Sequence, residues 1–411
     1  MSPQSKRRIS ILGSTGSVGC STLKLIAEQP ELYSIVTLTA HQNIKLLIKQ
    51  ALDFQPECIV IGDASFYDTA KRELAGSNIE VTAGRAALLE AASMPVEWAM
   101  VAIVGAAGIE VTLACIRQGC YVALANKESL VSAGHLLLAT TQETGATILP
   151  VDSEHNAIFQ ILNETNKEHI EGITLTASGG PFLTFDREEL ARVTPAQAVT
   201  HPNWRMGAKI SVDSATMMNK GLELIEAQRL FSVKPEQLDV LIHPQSVVHG
   251  MVKYVDGSIL AQMGVPDMRI PIAHTLAWPR RMKTSTGRLD LTQADSLTFE
   301  PVDYERFPAL KLAQDCLQMG GGTTTVLNAA NEVAVQAFLE GRINFIAIAK
   351  LVGDALEQMD KMNSPMIREM PSTLEQVMSL DTEARRLVEE LINNNQTIKK
   401  LITKVEAKSK Y

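Results

Sequence analysis

Residues 8–28 read RISILGSTGSVGCSTLKLIAE, and this stretch decides the fold of the N-terminal part of the chain. Residues 8–12 are typical of a buried strand, residues 13–19 form a glycine-rich turn, and residues 20–28 have the pattern of a helix. Glycines let a backbone approach a pyrophosphate closely, and the start of a helix offers it unpaired N–H groups. The spacing is GxxGxxG rather than GxGxxG, so a turn that serves the fold alone is the alternative. The flanking strand and helix favour a dinucleotide-binding site.

Strands and helices continue to alternate after this first unit. The predicted strands are residues 34–39, 58–61, 98–103, 121–125 and 147–151, and the predicted helices include residues 43–54 and 64–75. Such alternation is typical of a doubly wound parallel sheet. Residues 1–150 are therefore predicted to form an α/β, Rossmann-like dinucleotide-binding domain.

The end of the second predicted strand bears on the choice of cofactor. It is followed by His41, Gln42 and Asn43, whereas an NAD site usually offers an acidic residue to the ribose at this point. The absence of that acid favours NADP. His41 and Lys45 are the candidate positive partners for a 2′-phosphate.

One polar motif follows strand 121–125. Asn126, Lys127 and Glu128 lie at the carboxyl end of that strand, which is where open α/β sheets bind ligands. The alternative is that Asn126 simply caps the next helix.

A second polar motif follows strand 147–151. Asp152 and Glu154 point to one side of the chain if that strand continues. The alternative is that both carboxylates only complement the start of the next helix. A third oxygen donor from Glu223 would make an open site for Mg²⁺ or Mn²⁺, and His155 is interpreted as a hydrogen-bonding neighbour.

Residues 201–226, HPNWRMGAKISVDSATMMNKGLELIE, combine a loop, hydroxyl groups and a carboxylate-bearing helix. Proline and glycine mark residues 201–207 as a loop, and Trp204 suits a lid that covers a ligand. The next polar side chains compete with regular structure, so the helix is predicted to begin near Met217. Those side chains are Ser211, Asp213, Ser214 and Thr216.

On the predicted helix, Asn219, Glu223 and Glu226 share one face. A solvated polar face is the alternative to a functional one. Hydroxyl, amide and ammonium groups together suit a phosphate monoester. The candidates for that role are Ser178, Ser214, Asn219 and Lys220.

The remaining sequence predicts two further regions. Strand patterns on both sides of Asp256-Gly257 indicate a hairpin, so residues 151–282 are predicted to form an α+β domain with a sheet edge that suits dimerisation. Residues 283–307 read as a connector. Residues 308–411 are predicted to form a helical domain, with helices at 310–319, 324–339, 345–359 and 373–392.

Composition excludes several classes of protein. The formal net charge of −8 argues against a nucleic-acid binder, and no apolar run is long enough to cross a bilayer. The five cysteines lie mostly in apolar patterns, which predicts buried free thiols in a reducing compartment. With no signal-peptide pattern, a cytoplasmic location is expected.

Over nearly its whole length, the chain resembles the 1-deoxy-D-xylulose-5-phosphate reductoisomerase family. The motifs are GSTGSVG, ANKESLV, PVDSEHNAIFQ, SGGPF, HPNWRMGAKISVDSATMMNKGLE, IHPQSVVHGMV, AQMGVPDMR and TTTVLNAANE, in this order. The resemblance implies a homodimeric enzyme of isoprenoid precursor synthesis that uses NADPH and a divalent cation. It implies isomerisation and reduction of 1-deoxy-D-xylulose 5-phosphate to 2-C-methyl-D-erythritol 4-phosphate.

Matched motif by motif, the resemblance implies that the cation, Mg²⁺ or Mn²⁺ with Co²⁺ as a further candidate, binds Asp152, Glu154 and Glu223. The implied substrate contacts are Lys127, Ser153, Ser178, His201, Trp204, Met206, Ser214, Asn219 and Lys220, with Lys127 also counted as catalytic. The expected cofactor contacts are Gly13, Ser14, Thr15, Gly16, Ser17, Val18, Gln42, Asn43, Asn126, Glu128 and Gly207. The chain departs from the family at His41-Gln42, where a glycine and a basic residue are common. The tail beyond Asn393 lies outside the resemblance.

Two other readings compete with this one. A dehydrogenase of the aspartate-semialdehyde type shares the glycine turn, but it needs a nucleophilic cysteine in a polar turn. A nucleotide-sensing protein that has lost its chemistry has no need of three convergent carboxylates.

Overall fold

A computed structural model of the chain describes residues 6–200, 207–293, 296–362 and 365–394. These residues contain eleven β-strands, which are β1 (Arg7–Leu12), β2 (Tyr33–Ala40), β3 (Cys58–Ile61), β4 (Glu80–Ala83), β5 (Trp98–Val101), β6 (Tyr121–Leu124), β7 (Thr147–Pro150), β8 (Ile170–Ala177), β9 (Leu238–Ile242), β10 (Val248–Tyr254) and β11 (Ile259–Met263).

The same residues contain seventeen α-helices. They are α1 (Ser17–Glu28), α2 (Ile44–Phe54), α3 (Tyr67–Glu73), α4 (Gly84–Ala92), α5 (Ala107–Ile116), α6 (Lys127–Thr144), α7 (Ser153–Ile161), α8 (Arg187–Leu190), α9 (Pro195–Ala198), α10 (Ala208–Thr216), α11 (Met218–Phe231), α12 (Arg269–Ala277), α13 (Pro308–Met319), α14 (Thr323–Leu339), α15 (Ala347–Lys361), α16 (Pro365–Arg368) and α17 (Leu374–Asn394). Short 3₁₀ helices lie at Ala64–Phe66, Glu164–His169 and Pro235–Gln237.

The chain divides into two compact units. The described residues of Met1–Ser129, His135–Phe159 and Asp267–Arg288 form unit 1, and those of Leu130–Gly134, Gln160–Pro266 and Leu289–Tyr411 form unit 2. Residues 267–288 thus return to the unit that begins with the glycine turn. The functional division at residues 150, 282 and 307 stays a prediction.

Unit 1 is built on a seven-stranded sheet in the order β4-β3-β2-β1-β5-β6-β7. All of its neighbouring strands are parallel. The strand order reverses at β1, which pairs with both β2 and β5, and such a switch point is where open α/β sheets bind ligands. The predicted doubly wound parallel sheet is confirmed.

The strand β4 and the helix α4 of unit 1 were not predicted from the sequence. β4 is the edge strand next to β3, and none of its four residues is buried. It therefore lacks the apolar run that marks the central strands, such as β5, in which every residue is buried. The helix α4 after it has small alanines in place of a strong apolar stripe.

Unit 2 contains a four-stranded mixed sheet in the order β11-β10-β8-β9. β10 runs antiparallel to β8 and β11, and β8 runs parallel to β9. The predicted hairpin is confirmed: Asp256 Oδ1 accepts from Ser258 N at 2.9 Å. Gly257 has a φ of +86°, a conformation that glycine adopts without strain. β11 is an edge strand, and most of its residues are exposed.

The predicted C-terminal helices are confirmed within about two residues at most of their ends. They are α13, α14, α15 and α17. α14 is buried along nearly its whole length, including the amides of Asn328 and Asn331.

The polar run after the 201–207 segment is a helix, so the expectation that it competes with regular structure was wrong. α10 spans Ala208–Thr216 and includes Ser211, which donates from its Oγ to Gly207 O at 3.0 Å. Its hydroxyl thus bonds a carbonyl one turn earlier and does not end the helix. The break comes at Met217, whose φ of +63° separates α10 from α11. The predicted helix start near Met217 fits α11.

All five cysteines are unpaired, and four of them are buried. This agrees with the prediction of free thiols. In the described part of the chain, no helix is both long and apolar enough to cross a membrane.

Candidate active site

The glycine turn after β1 is shaped by close backbone contacts. Gly13 has a φ of +96°, and a Cβ built there would lie 2.6 Å from Ala102 O. A Cβ on Gly19 would lie 2.4 Å from Gly13 O. Gly13 N donates to Thr39 Oγ1 at 2.8 Å, which ties the turn to the end of β2. The turn therefore tolerates no side chain at either glycine.

The start of α1 is open to an anion. Gly16 is its N-cap and has no side-chain capping bond among the described residues, and Gly16 and Ser17 are exposed. Unpaired N–H groups at a helix start attract negative charge. Ser14 differs, because its Oγ is buried and donates to Gln50 Oε1 at 2.7 Å. A cofactor contact of the Ser14 hydroxyl stays a prediction.

Two residues that support this turn were not found from the sequence. Thr39 accepts from Gly13, and the side chain of Gln50 donates to Ser14 O at 2.9 Å. Thr39 lies in an apolar strand, and a hydroxyl buried there is expected to have a hydrogen-bond partner. The sequence could therefore have indicated a role for Thr39. Gln50 lies on a helix whose pattern gives no sign that it is buried.

Alanine at Gly19 is expected to destabilise unit 1 and to weaken NADPH binding at least about tenfold. The new Cβ would collide with backbone, and overpacking of this kind costs about 1–3 kcal/mol or more. Urea unfolding and NADPH fluorescence titration measure the two effects. Gly16→Ala is the matched control, because its Cβ would meet Gly13 O at an ordinary 3.5 Å and its φ is −75°. That variant should unfold like the parent; equal destabilisation by both changes would refute the packing argument.

The end of β2 carries the residues expected near the adenosine ribose. Asn43 caps α2, since its Oδ1 accepts from Leu46 N at 3.4 Å. Gln42 is exposed, and its Nε2 donates to Asp63 Oδ2 at 3.3 Å. Hydrogen bonds from Ser65 hold the pKa of the Asp63 carboxyl below its usual value. An ionised acid therefore lies beside Gln42, but it follows β3 and not β2.

Asn126 is the N-cap of α6. Its Oδ1 accepts from Ser129 N at 2.8 Å, and its Nδ2 donates to Ile103 O at 2.7 Å and to Glu128 Oε2 at 2.7 Å. The capping alternative is thus confirmed for Asn126. A cofactor contact of Asn126 and Glu128 stays a prediction. Lys127 begins α6, is buried, and forms an ion pair with Asp152.

Asp152 and Glu154 flank the start of a helix. β7 ends at Pro150 and α7 begins at Ser153, so the strand does not continue through Asp152 and Glu154. Asn156 N donates to Asp152 O at 2.8 Å and closes the first helical turn instead. The Oγ of Ser153 donates to Glu154 Oε2. Both carboxylates lie where the helix dipole favours negative charge.

In unit 2, a glycine turn packs against α10. Gly180 has a φ of +68°, and a Cβ there would lie 2.9 Å from Ser214 O. Gly180 N donates to Ser178 Oγ at 3.2 Å. The turn that starts at Ser178 therefore lies directly beside Ser214, as the prediction of a shared phosphate site requires.

The polar face of α11 is buried. Glu223 is 0% exposed, Lys220 3% and Glu226 4%. The alternative of a solvated polar face was therefore wrong, and Glu226 is buried as well. Glu223 accepts from both Asn219 Nδ2 and Lys220 Nζ. Burial of a carboxylate beside an ammonium is costly unless both charges are compensated, so this pair indicates a functional site more than a stabilising contact.

Asn219 also leaves an acceptor unused. Its Oδ1 is buried and has no hydrogen-bond partner among the described residues. An orphaned buried acceptor costs about 1–3 kcal/mol. A ligand donor would satisfy it, which agrees with the predicted substrate contact.

Three predicted substrate residues, His201, Trp204 and Met206, lie outside the described residues. Gly207 follows them as the exposed N-cap of α10. The cofactor contact of Gly207 stays a prediction.

Four of the five cysteines do not have the environment of a nucleophile. Burial raises the pKa of Cys120 to about 11 and that of Cys316 to about 12. Burial also raises the pKa values of Cys58 and Cys115. A nucleophilic cysteine needs a lowered pKa, so these four thiols argue against the aspartate-semialdehyde type of dehydrogenase.

The parallel sheet with its open glycine turn, together with the buried pair of Lys220 and Glu223, defines the class of dinucleotide-dependent oxidoreductases. Comparison with known proteins gives the family. Three family models match: 1-deoxy-D-xylulose 5-phosphate reductoisomerase over residues 9–134, its C-terminal domain over residues 148–231, and the DXP reductoisomerase C-terminal domain over residues 263–387. The chain belongs to the 1-deoxy-D-xylulose 5-phosphate reductoisomerase family.

Individual relatives agree with this assignment. The reductoisomerase of Zymomonas mobilis is 54% identical over 379 residues, which cover 92% of this chain and 96% of that protein. That of Rhodospirillum centenum is 53% identical over 386 residues, 94% of each chain. The Zymomonas mobilis enzyme solved in complex with NADPH has a TM-score of 0.89 at 51% identity and covers 95% of this chain and 100% of that chain. A reductoisomerase solved with NADPH, fosmidomycin and magnesium has a TM-score of 0.90 at 43% identity, with coverage of 94% and 98%.

Proposed function

We infer that the chain catalyses the NADPH- and divalent-metal-dependent conversion of 1-deoxy-D-xylulose 5-phosphate to 2-C-methyl-D-erythritol 4-phosphate. The reaction belongs to the non-mevalonate route to isoprenoid precursors. Membership of the family over nearly the whole chain supports it, as do the relatives solved with NADPH and with magnesium. The observation that carries it is the fully buried Glu223 carboxylate beside Lys220 and Asn219, which pure packing does not explain.

The proposed cation ligands are Asp152, Glu154 and Glu223. Hard cations such as Mg²⁺ and Mn²⁺ prefer carboxylate oxygens, and Co²⁺ is a further candidate. Asp152 is paired with Lys127 and Glu223 with Lys220, so a cation bound there would share each of these two carboxylates with an ammonium group. Held by these carboxylates, a cation would supply Lewis-acid polarisation of the substrate carbonyl and stabilisation of enolate-like negative charge.

The protein's own residues would bind and orient the substrate. The phosphate is proposed to lie against Ser178, Ser214, Asn219 and Lys220, remote from the reacting carbons. Lys127 and Ser153 are proposed to orient the substrate oxygens near Asp152. His201, Trp204 and Met206 are proposed further contacts. The carbon skeleton rearranges to an aldehyde, which then takes a hydride from NADPH and a proton, leaving NADP⁺.

The cofactor is proposed to bind at the carboxyl end of the parallel sheet. Its pyrophosphate would meet the N–H groups of residues 13–18, and its adenosine ribose would lie near Gln42 and Asn43. Asn126, Glu128 and Gly207 complete the proposed contacts. We propose the corresponding division into an NADPH-binding domain (1–150), a catalytic domain (151–282), a connector (283–307) and a helical domain (308–411).

The proposed activity is tested by NADPH oxidation with 1-deoxy-D-xylulose 5-phosphate after chelation of metal. Turnover is expected to return when Mg²⁺ or Mn²⁺ is added, with 2-C-methyl-D-erythritol 4-phosphate as the product. Absence of metal-dependent turnover would refute the proposal. Comparable efficiency with NADH would refute the NADPH preference alone.

A homodimer in the cytoplasm is part of the proposal. Ile259 and Leu260 of edge strand β11 are 54% and 47% exposed, and an apolar sheet edge suits pairing with a second copy. Unpaired cysteines suit a reducing compartment. Leu260→Asp is therefore expected to give a monomer in light scattering. Met319→Asp changes an equally apolar exposed residue elsewhere and should leave the dimer intact; a dimeric Leu260→Asp protein would place the interface on another surface.

A further inference from the structure

The turn that carries Asp152 is fastened by one buried amide of unit 1. Asn156, 1% exposed, donates from Nδ2 to Pro150 O at 2.8 Å and from its backbone N–H to Asp152 O at 2.8 Å. Pro150 ends β7, and Ser153 begins α7. A single residue therefore bonds both the strand end and the carbonyl of the proposed ligand.

His274 of α12 fixes the orientation of that amide. Its Nδ1 lies 3.2 Å from Asn156 Nδ2. An amide nitrogen can only donate, so Nδ1 accepts and the imidazole is neutral with its proton on Nε2. Burial, together with the charge of Arg281, lowers the pKa of His274 to about 4. The histidine therefore keeps this acceptor at neutral pH.

The imidazole is held on a rigid support within unit 1. α12 packs against α1, β6 and β7. Arg7 Nη1 donates to Leu276 O, at the end of α12, at 2.6 Å. The rings of Phe159 and Trp278 meet the His274 ring edge-on, with centroids 5.9 Å and 5.5 Å away. Rotation of the ring away from Asn156 would disrupt this aromatic packing.

We propose that His274 and Asn156 are positioning residues for the cation-binding carboxylates. The imidazole nitrogen orients the Asn156 amide, and the amide fixes the turn from which Asp152 and Glu154 project. The two residues would touch neither substrate nor cation. The inference rests on the proposed function, because it assigns the support of a cation site that the function requires.

A purely structural role would have different consequences. A buried polar bridge that only stabilises unit 1 changes the free energy of unfolding and leaves metal affinity unchanged. Hydrogen-bonded supports of metal ligands typically alter metal affinity about 10–100-fold. Direct binding of Mn²⁺, measured without turnover, therefore separates the two roles.

Two substitutions at residue 274 separate the acceptor from the packing. His274→Phe keeps an aromatic ring and loses the acceptor, whereas His274→Asn places an amide oxygen near the position of Nδ1 and loses the ring. His274→Phe is expected to weaken Mn²⁺ binding about 10–100-fold, with NADPH affinity unchanged. His274→Asn is expected to bind Mn²⁺ within about threefold of the parent despite a lower melting temperature.

Mn²⁺ binding is followed by the electron paramagnetic resonance signal of the free ion, and NADPH binding by fluorescence. Parent-like Mn²⁺ affinity in His274→Phe overturns the inference, and so does equal weakening in both variants. If His274→Phe does not fold, Asn156→Ala replaces it, with the same expected loss. Asp152→Asn distinguishes failure of the proposed cation site from failure of the inference alone. If Asp152→Asn binds Mn²⁺ as tightly as the parent protein does, the proposed site is refuted, and the inference with it. Binding that depends on Asp152 but not on His274 refutes the inference alone.

Discussion

Replacing Glu223 by glutamine is expected to lower kcat about 10³-fold and to leave NADPH affinity nearly unchanged. The amide keeps the shape of the side chain and removes its negative charge. Glu223 is 0% exposed and accepts from Lys220 and Asn219, so it is placed to hold positive charge. Loss of that charge should therefore lower metal-dependent turnover by this factor. Metal-activated NADPH oxidation and NADPH fluorescence titration measure the two quantities.

Glu226→Gln is the matched control for this change. Glu226 lies on the same helix and is 4% exposed, but it was not assigned to the cation. Its substitution is expected to keep kcat within about tenfold of the parent, an effect of up to about 1.4 kcal/mol. If Glu223→Gln weakened NADPH binding as strongly as turnover, Glu223 would belong to the cofactor site or to the core.

The sequence predicted most of the fold because its signals are local. The strand, glycine turn and helix of residues 8–28 are consecutive, and the C-terminal helices have a clear apolar period. The edge strand β4 was missed because exposed strands carry no apolar run. α10 was missed because hydroxyl side chains bond a helix from within as readily as they end it.

The site was predicted as separate motifs, and its supports were not predicted. Residue type marked Asp152 and Glu154 as candidate ligands, whereas helical spacing did not separate Glu223 from Glu226, and the resemblance to the family selected Glu223. The periodicity of α11 also did not show that its polar face is buried. Asn156 and His274 are 118 residues apart, and each has an ordinary role as a lone polar residue in a core. Only the folded chain brings the two side chains together.

Replacing Lys220 by glutamine is expected to raise the KM for the phosphorylated substrate about 10–100-fold. A hydrogen bond to a charged group contributes about 1.5–3 kcal/mol, which corresponds to that range. Lys220 is 3% exposed and lies in the first turn of α11, where unpaired N–H groups also favour an anion. Inorganic phosphate should raise the melting temperature of the parent protein and have a much smaller effect on the variant.

Lys209→Gln serves as the control for loss of a lysine charge near the same site. Lys209 lies on α10 and pairs with Asp213 at 2.9 Å, so its charge already has a structural partner. Its substitution should change KM less than about threefold, a difference of about 0.7 kcal/mol. A substrate analogue without phosphate gives the decisive comparison, because the parent and Lys220→Gln should use it equally well if Lys220 acts on the phosphate. A large difference with that analogue would instead show that Lys220 acts through Glu223, the residue with which it is paired.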